Sequence, residues 1–270
     1  MKVLFWNTHK NNNINSVLLD VIVENEISMV VLAEYTANAD QLIALLSDKG
    51  ILMRRYMATG CDRITVLGSV LNVEPGPQSK YASMQVINKI DILCCVHLPS
   101  QIYSQGAGMR RVVIGRIISD INQLEAALNT ENTIVVGDFN VNPFDEGCID
   151  ADMFHGIPTY SVASRKSRVV GDEEFKMFYN PMWNFLGDFK QPYGTHFYSG
   201  NQIGNVFWNI YDQVLIRPVL YDRFTKDQLK IITETQSHSF LTDKGYPNED
   251  ISDHFPIVFE IKEVCHGNEN

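Results

Sequence analysis

The chain has 270 residues, of which 45% are hydrophobic and 20% are charged, and its formal net charge is −10 at pH 7. This composition is typical of a globular protein with a sizeable core, and the length fits one large domain or two small ones. The acidic balance argues against binding of polyanions by bulk charge alone. It still allows an acidic site that holds cations and acts on a phosphate ester.

The five cysteines do not have the spacing of a metal-binding set: Cys61, Cys94, Cys95, Cys148 and Cys265. Two of them fall inside the apolar run DILCCVHL, which predicts buried thiols in a reducing compartment. No stretch reaches the length of a transmembrane helix, and the apolar run at the N-terminus is too short for a signal peptide. We therefore expect a soluble, cytoplasmic protein with no stable membrane association.

The first half of the chain alternates between strand-like and helix-like patterns. KVLFW and SMVVLAEY predict buried strands, whereas INSVLLDVIVEN and NADQLIALLSDKG predict amphipathic helices, the second beginning at Asn38 and ending at Gly50. Three more strands are predicted in DRITVLGSVLNV, YASMQVIN and KIDILCCVHL, with NVEPGPQSKY as a turn between two of them. A long helix, roughly Arg110 to Leu128, then leads into the strand NTIVVGDFN.

The second half of the chain is less regular. The stretch from Pro143 to Gly204 is rich in Gly, Pro, Asn and aromatic residues, which predicts long loops with short helices. Strands resume at WNIYDQVLIRP, LKIITETQ and FPIVFEIK. Since no internal repeat or linker is visible, we predict one α/β domain over residues 1–265 and a short polar tail over 266–270.

Six predicted strands carry polar residues at or beside one end. These residues are Asn7, Glu34, His97, Asp138 with Asn140, Asp212, and Asp253 with His254. A single polar residue at a strand end is usually a solvated boundary or a turn former. Six together favour one site, because carboxylates and amide oxygens suit a hard cation such as Mg²⁺. Histidines paired with aspartates suit general base catalysis or transition-state stabilisation.

The segments that carry these residues resemble a known superfamily. FWN, LAEY, VHLPS, GDFNVNP, YDQVLI and SDHFPI occur in the order and with roughly the spacing of the endonuclease/exonuclease/phosphatase superfamily. GDFN and SDHFP are the most specific of them. The resemblance implies an α/β (α+β), deoxyribonuclease I-like fold, which is a four-layer sandwich of two mostly antiparallel β-sheets flanked by helices. It also implies an active site at one edge, where strand ends from both sheets converge.

The resemblance further implies a hydrolase that depends on Mg²⁺ or Mn²⁺. Glu34 would be the main metal ligand, supported by Asn7 and Asp253. His9 stands where abasic-site enzymes often carry an aspartate, which argues against that group and against two tight metal sites. No role is assigned to His9, and the four histidines outside the motifs are expected to be structural or exposed.

The remaining motif residues are expected to act on water and phosphate. Asp138 and Asn140 lie at i and i+2, so both are predicted to leave the strand on one face. By resemblance, Asp138 orients or activates the attacking water or binds metal, and Asn140 positions the water or the phosphate. His254 contacts the scissile phosphate, and Asp212 holds its other ring nitrogen. His97 is typical of deoxyribonuclease-like, sphingomyelinase-like and phosphatase-like members of the superfamily.

The sequence carries fewer signals for the identity of the substrate than for the type of reaction. Arg110, Arg111 and the segment SRKSR are candidates for phosphate contacts. Trp208 lies among aromatics in the region where DNA-acting relatives contact the minor groove or a flipped base. The best prediction is a monomeric, metal-dependent nuclease that hydrolyses DNA or RNA by in-line water attack. The alternatives are a phosphatase or phospholipase C-like phosphoesterase on inositol phosphates or sphingomyelin, and an inactive nucleic-acid-binding relative.

Overall fold

The computed structural model describes residues 1–100 and 106–263, so Cys265 and the predicted tail at 266–270 lie outside the described residues. Within them the strands, numbered in chain order, are β1 (Lys2–Asn7), β2 (Met29–Ala33), β3 (Arg54–Arg55), β4 (Ile64–Gly68), β5 (Val73–Ser79), β6 (Ala82–Ile87), β7 (Asp91–His97), β8 (Thr133–Asp138), β9 (Gly156–Ile157), β10 (Ser167–Val170), β11 (Glu173–Lys176), β12 (Phe178–Tyr179), β13 (His196–Phe197), β14 (Trp208–Asn209), β15 (Asp212–Ile216), β16 (Lys230–Ile231) and β17 (Ile257–Glu260). The α-helices are α1 (Asn15–Glu24), α2 (Ala39–Asp48), α3 (Gly106–Leu128), α4 (Glu146–Ile149) and α5 (Tyr160–Ala163). Short 3₁₀ helices span Pro181–Phe185, Pro218–Leu220 and Lys226–Gln228.

Most of the strands belong to two large sheets. The first sheet has the strand order β16-β17-β1-β2-β4-β3, and the second has the order β5-β6-β7-β8-β15-β12-β9. Most neighbours are antiparallel, while β1 pairs in parallel with β2, β7 with β8 and β9 with β12. This arrangement confirms the predicted pair of mostly antiparallel sheets.

Helices cover the outer face of each sheet. Cys95 in β7 belongs to the large core that joins the two sheets and includes buried residues of α1 and α2. Its neighbour Cys94 points to the opposite face, because side chains alternate along a strand, and it packs in the core beneath α3. Both thiols are fully buried, as predicted. None of the helices among the described residues has the length and apolar character needed to cross a membrane.

The strongest local signals in the sequence are confirmed. The predicted first two helices form as α1 and α2, and the Asn38 side chain accepts hydrogen bonds from the backbone N–H groups of Asp40 and Gln41 at the start of α2. Gly50 follows the end of α2 with a φ of 78°, a left-handed conformation that glycine adopts without strain. The long third helix begins at Gly106, four residues before the predicted start.

The prediction of a turn at NVEPGPQSKY is wrong. Residues Val73–Ser79 form β5, which pairs with β6 in an antiparallel arrangement whose register shifts between Pro75 and Gln78. The strand tolerates two prolines because it lies at the edge of the second sheet, where missing N–H donors break few ladder bonds. The stretch from Pro143 to Gly204 contains the predicted short helices, but also the short strands β9 to β13.

A glycine allows β7 and β8 to approach each other beside the site. Val96 of β7 pairs with Gly137 of β8, and the next pair along is His97 with Asp138. A Cβ atom on Gly137 would lie only 1.9 Å from the Val96 carbonyl oxygen. Any larger residue would therefore push the two strands apart at the point where they present His97 and Asp138.

A buried ion pair links α3 to the end of β15. Arg217 Nε lies 2.7 Å from Glu125 Oε1, and both side chains are almost fully buried. The Thr133 hydroxyl donates a further hydrogen bond to Glu125 Oε1 at 2.7 Å. Lys176 Nζ donates to the other oxygen, Glu125 Oε2, at 3.0 Å, so Arg217 supplies the buried half of the charge that Glu125 meets.

We expect Arg217→Met to lower the free energy of unfolding by about 1–3 kcal/mol, because Glu125 Oε1 would lose its buried cationic partner while Lys176 still pairs with Oε2. Urea denaturation followed by circular dichroism measures this change. The matched control is Arg116→Met, which removes an exposed arginine from the same helix as Glu125 and should change stability by about 0.5 kcal/mol or less. Equal effects of the two substitutions would contradict a stabilising role for the buried pair.

Candidate active site

The strand register brings the polar strand ends of the second sheet into one row. His97 at the end of β7 pairs with Asp138 at the end of β8, and Asp138 pairs with Asp212 at the start of β15. On the other side of His97, its backbone N–H donates to the Tyr81 carbonyl oxygen, 3.0 Å away. The row therefore runs Tyr81, His97, Asp138, Asp212 across four adjacent strands.

A second row forms along the facing edge of the first sheet. Ala33 at the end of β2 pairs with Asn7 of β1 on one side and with Ile64 of β4 on the other. Glu34 follows Ala33 directly, and Arg63 precedes Ile64 directly. The same register that aligns Asn7 with Ala33 thus places Arg63 beyond Glu34, at the β4 side of the edge.

The two rows and the loop before β17 enclose a cavity of about 970 Å³. Seven of the eight residues predicted as catalytic or metal-binding line it: Asn7, Glu34, His97, Asp138, Asn140, Asp253 and His254. The eighth, Asp212, is fully buried behind His254.

His254 and Asp212 form a buried pair at one side of the cavity. His254 Nδ1 lies 2.8 Å from Asp212 Oδ2, and the backbone N–H of Asp212 donates to Thr195 Oγ1 at 3.1 Å. Burial alone would lower the pKa of His254, but Asp212 outweighs it and raises that pKa to about 10. Because Nδ1 is engaged by Asp212, Nε2 is the nitrogen available to a ligand in the cavity.

Asp138 is held rigidly at the centre of the site. Its Oδ2 accepts a hydrogen bond from Asn7 Nδ2 at 3.0 Å, and its Oδ1 accepts one from the backbone N–H of Asn140 at 2.8 Å. Burial raises the pKa of Asp138 above the ordinary aspartate value. The carboxylate is therefore more basic than an exposed aspartate.

Asn140 lies in the loop after β8, and its conformation directs its side chain. Its φ is 51°, a left-handed conformation that is uncommon outside glycine. The Asn140 Nδ2 group donates to the Leu98 carbonyl oxygen at 3.1 Å, while the residue lines the cavity. The amide is thus anchored by its nitrogen, and its oxygen remains available.

Glu34 presents a half-buried carboxylate to the cavity. Its φ of 50° is also left-handed, and this turns the chain sharply after β2. Glu34 Oε1 lies 3.8 Å from His97 Nε2, and Oε2 lies 3.8 Å from Lys10 Nζ. Both contacts are longer than a hydrogen bond, so the carboxylate has no close fixed partner there and is accessible to a cation.

His97 lies between the carboxylates of Glu34 and Asp138. Its Nε2 is 3.7 Å from Asp138 Oδ2 as well as 3.8 Å from Glu34 Oε1. The pKa of His97 is lowered mainly by burial and, to a smaller extent, by the positive charge of Arg63. We therefore describe His97 as a neutral imidazole at pH 7, in contrast to His254.

Asp253 is flanked by two histidines that the sequence analysis left without a role. Asp253 Oδ1 lies 3.0 Å from His9 Nδ1, and Oδ2 lies 3.8 Å from His196 Nε2. Burial alone would raise the pKa of Asp253, but the neighbouring rings of His196, His254 and His9 lower it to about 2. Asp253 is therefore an anion across the physiological pH range. His196, expected to be structural or exposed, lines the cavity.

The three residues predicted to bind substrate do not line the cavity. Arg110 is buried and donates to the Pro99 carbonyl oxygen, which fixes the loop after β7. Arg111 forms ion pairs with Asp150 and Asp152 outside the cavity. Trp208 packs against aromatic rings of its own region, including Phe197 at 5.2 Å between ring centroids.

Other residues, which sequence reasoning missed, form the walls of the cavity. They are Lys10, Arg63, Tyr81, Met109, Asn142, Phe144, Asp145, His196, Tyr198, Gln202, Asn205, Asn209 and Tyr211. Arg63 and Tyr211 do carry the signal used for the catalytic residues, because each stands next to the end of a buried strand. Tyr198, Gln202 and Asn205 lie in a loop between β13 and β14, where no periodic pattern indicates which side chains face inward.

Two groups of side chains have ligand atoms within 4.8 Å of one another and could hold a metal ion: His196, Asp253 and His254, and Asp138, Asp212 and His254. Asp253 is the anion of the first group, and Glu34 offers a further accessible carboxylate to the cavity. Asn7 Oδ1 accepts a hydrogen bond from the backbone N–H of His9 at 3.1 Å and keeps a second lone pair. Carboxylate and amide oxygens are the ligands that Mg²⁺ favours.

Similar folds occur among solved structures of nucleic-acid enzymes. The superposition on a 3′-5′ exonuclease from Neisseria meningitidis covers 97% of this chain and 100% of the exonuclease chain, with 15% sequence identity and a TM-score of 0.56. An AP endonuclease from Archaeoglobus fulgidus gives the same coverages at 12% identity and a TM-score of 0.55. TDP2 from D. rerio, complexed with a single-strand DNA product, covers 97% of this chain and 99% of its own, at 16% identity and a TM-score of 0.55.

No protein-family model matches the sequence, and no curated protein matches it. The structural matches cover nearly the whole chain, and the arrangement of two mixed sheets agrees with them. The chain therefore shares a deoxyribonuclease I-like fold with these solved structures.

Proposed function

We propose that the chain is a divalent-metal-dependent phosphodiesterase that hydrolyses DNA or RNA by in-line attack of water. The observation that supports this most strongly is the convergence of strand ends from both sheets. They bring Glu34, Asn7, Asp138 and the Asp212–His254 pair to a single cavity. An acidic cluster on a surface would not require a buried aspartate behind a histidine, whereas hydrolases use that pairing to fix the ring and stabilise its positive charge.

Some of the side chains would bind the metal ion, and others would activate and orient the attacking water. Glu34, with Asn7 and Asp253, would hold the cation, and a bound Mg²⁺ or Mn²⁺ would offset negative charge on the phosphate. Asp138 would accept a proton from the attacking water, since burial raises its pKa. Asn140 would orient that water through its free amide oxygen.

His254 would donate from Nε2 to a phosphate oxygen. Its pKa of about 10 keeps the ring protonated at neutral pH, so that it adds a positive charge where negative charge develops. His97 would contribute a neutral N–H or lone pair beside Asp138. This division needs no covalent intermediate, because none of the groups has to act as a nucleophile.

Several features favour nucleic acid over the alternative substrates. Lys10 and Arg63 supply cationic groups, and Tyr198, Tyr211 and Phe144 supply aromatic ones, within the same cavity. Phosphate contacts and aromatic stacking are the two recurring parts of single-strand recognition. The D. rerio neighbour with a DNA product supports the same choice. A monomeric and cytoplasmic protein remains the prediction of the sequence.

The substrate class is tested by comparing turnover of single-stranded DNA, duplex DNA, RNA, inositol phosphates and sphingomyelin at one enzyme concentration. We expect the highest kcat/KM on a nucleic acid, with activity in Mg²⁺ or Mn²⁺ and loss of activity in EDTA. Nucleic-acid binding should weaken steeply as salt increases. A preference for inositol phosphates or sphingomyelin would contradict the nuclease assignment while leaving the proposed catalytic groups in place.

A further inference from the structure

Arg63 stands at the edge of the cavity, on the side away from Asn7, although its charge is close enough to His97 to lower the pKa of that ring. It precedes β4 and lies beyond Glu34 in the register of the first sheet. β4 is two strands away from β1, which corresponds to about 10 Å at the usual strand spacing. A group bound by Arg63 would therefore belong to a neighbouring unit of the substrate, and the reacting phosphate would lie closer to Asn7 and His254.

The Arg63 side chain is supported but not neutralised. Its guanidinium carbon lies 4.9 Å from the centroid of the Tyr81 ring, within the range of a cation–π contact. Among the described residues, no carboxylate lies within ion-pair distance of the guanidinium, and none of its nitrogens has a hydrogen bond. Contact with a ring face uses none of the N–H donors of an arginine. The donors remain available for an anion.

Charge is distributed unevenly around the cavity. Lys10 and Arg63 are the only lysine and arginine among the described residues that line it, and both belong to the first sheet's side, near Glu34. The opposite end, near β15, is lined by Tyr198, Tyr211 and Asp145, and its cationic ring, His254, is already assigned to the reacting phosphate. A second phosphate would meet an acidic and aromatic wall at that end and an unpaired guanidinium at the other. Lys10 is less free, because it faces Glu34 at 3.8 Å.

We propose that Arg63, supported by Tyr81, is a subsite for a second phosphate group next to the scissile one. A planar guanidinium presents parallel N–H donors that match two oxygens of a phosphate. The preferred substrate then carries at least two phosphates on one strand, as an oligonucleotide does. This inference rests on the proposed phosphodiesterase function. It implies that the nucleic-acid strand runs across the cavity from the reacting phosphate towards Arg63.

The test compares three dinucleotides. The first is dithymidylate without a terminal phosphate, and the other two carry one additional phosphate, at the 5′ end or at the 3′ end. We expect one of the phosphorylated forms to have a kcat/KM at least about tenfold higher than the plain compound. Arg63→Gln should remove that gain. Lys80→Gln is the matched control, because Lys80 also lies near the Tyr81 ring, at 5.6 Å from its centroid, but does not line the cavity. It should retain the gain.

Persistence of the gain in Arg63→Gln, or the absence of a gain from either terminal phosphate, would overturn the inference. If none of the three compounds is hydrolysed, the comparison of DNA and RNA substrates above decides the proposed function, and binding tests the subsite. Fluorescence anisotropy then measures the affinity of labelled decathymidylate for the His254→Ala protein at several salt concentrations. Adding Arg63→Gln should reduce the slope of log K against log salt by about 0.7, the value for one phosphate contact on a single strand. An unchanged slope would overturn the subsite.

Discussion

Replacing His254 with alanine is expected to lower kcat on a single-stranded oligonucleotide by about 10²–10⁴-fold, the usual cost of losing a positioned proton-transfer or charge-stabilising group. The reason is geometric, since His254 is the cationic ring that faces the cavity while Asp212 fixes its other nitrogen at 2.8 Å. Steady-state kinetics at saturating substrate measure the effect. His238→Ala serves as the control, because His238 pairs with Asp20 and does not line the cavity. A kcat that falls equally in both variants would contradict the assignment.

Asp212→Asn should shift the pH profile of the same step. Asp212 is the main group that raises the pKa of His254 against the effect of burial. An amide in its place should lower that pKa, so that activity declines at a lower pH than the wild type as the solution becomes alkaline. A profile with an unmoved alkaline limb would show that protonated His254 is not required.

The same pair also makes stability depend on pH, with a defined sign. The pKa of His254 in the folded protein, about 10, is above the unfolded value of 6.5. The pair therefore stabilises the fold fully below pH 6.5, and this contribution is lost as the pH rises through 10. In Asp212→Asn the free energy of unfolding should fall less between pH 6.5 and pH 10 than it does in the wild type. Urea denaturation at each pH measures this difference.

Glu34→Gln and Asp138→Asn are both expected to lower activity strongly, but only the first should be restored by added metal. Glu34 offers an accessible carboxylate at the cavity, so its loss should weaken metal binding and raise the Mg²⁺ concentration at half-maximal rate. Asp138 is buried and hydrogen-bonded to Asn7 and Asn140. Its loss should lower kcat by about 10²–10⁴-fold at any metal concentration.

The measurement is the initial rate as a function of Mg²⁺ or Mn²⁺ for each variant, together with metal affinity from calorimetry. Asp152→Asn is the control, since it removes a carboxylate that pairs with Arg111 outside the cavity. If Glu34→Gln and Asp138→Asn showed the same metal dependence, the separation of a metal-holding group from a proton-accepting group would be wrong.

The sequence was sufficient to predict which polar side chains meet at the cavity, because most of them stand next to the end of a strand with a clear apolar pattern. Asn7, Glu34 and His97 follow such runs directly, and strand pairing then fixes their relative positions. The two-sheet architecture was predicted from the resemblance of the ordered motifs to the superfamily, because the alternation in the first third of the chain alone would have suggested a parallel sheet. Gly137 also stands in a recognisable motif, although its close approach to Val96 is visible only in the structure.

The walls of the cavity could not be predicted in the same way. Arg110 and Arg111 are adjacent in the sequence, yet one is buried against a carbonyl oxygen and the other pairs with surface acids, since neighbours on a helix point in different directions. Trp208 packs in an aromatic cluster, which is a tertiary outcome with no local signal. β5 formed where prolines indicated a turn, because an edge strand tolerates them.

The central claim is that this cavity hydrolyses phosphodiesters with the help of a divalent metal. The most direct measurement is hydrolysis of a labelled single-stranded oligonucleotide by the purified wild type and by His254→Ala, each in Mg²⁺, in Mn²⁺ and in EDTA. We predict cleavage by the wild type in at least one of the two metals, none in EDTA, and a rate for His254→Ala at least about 10²-fold lower. Cleavage that persists in EDTA, or that His254→Ala retains at the wild-type rate, would contradict the claim.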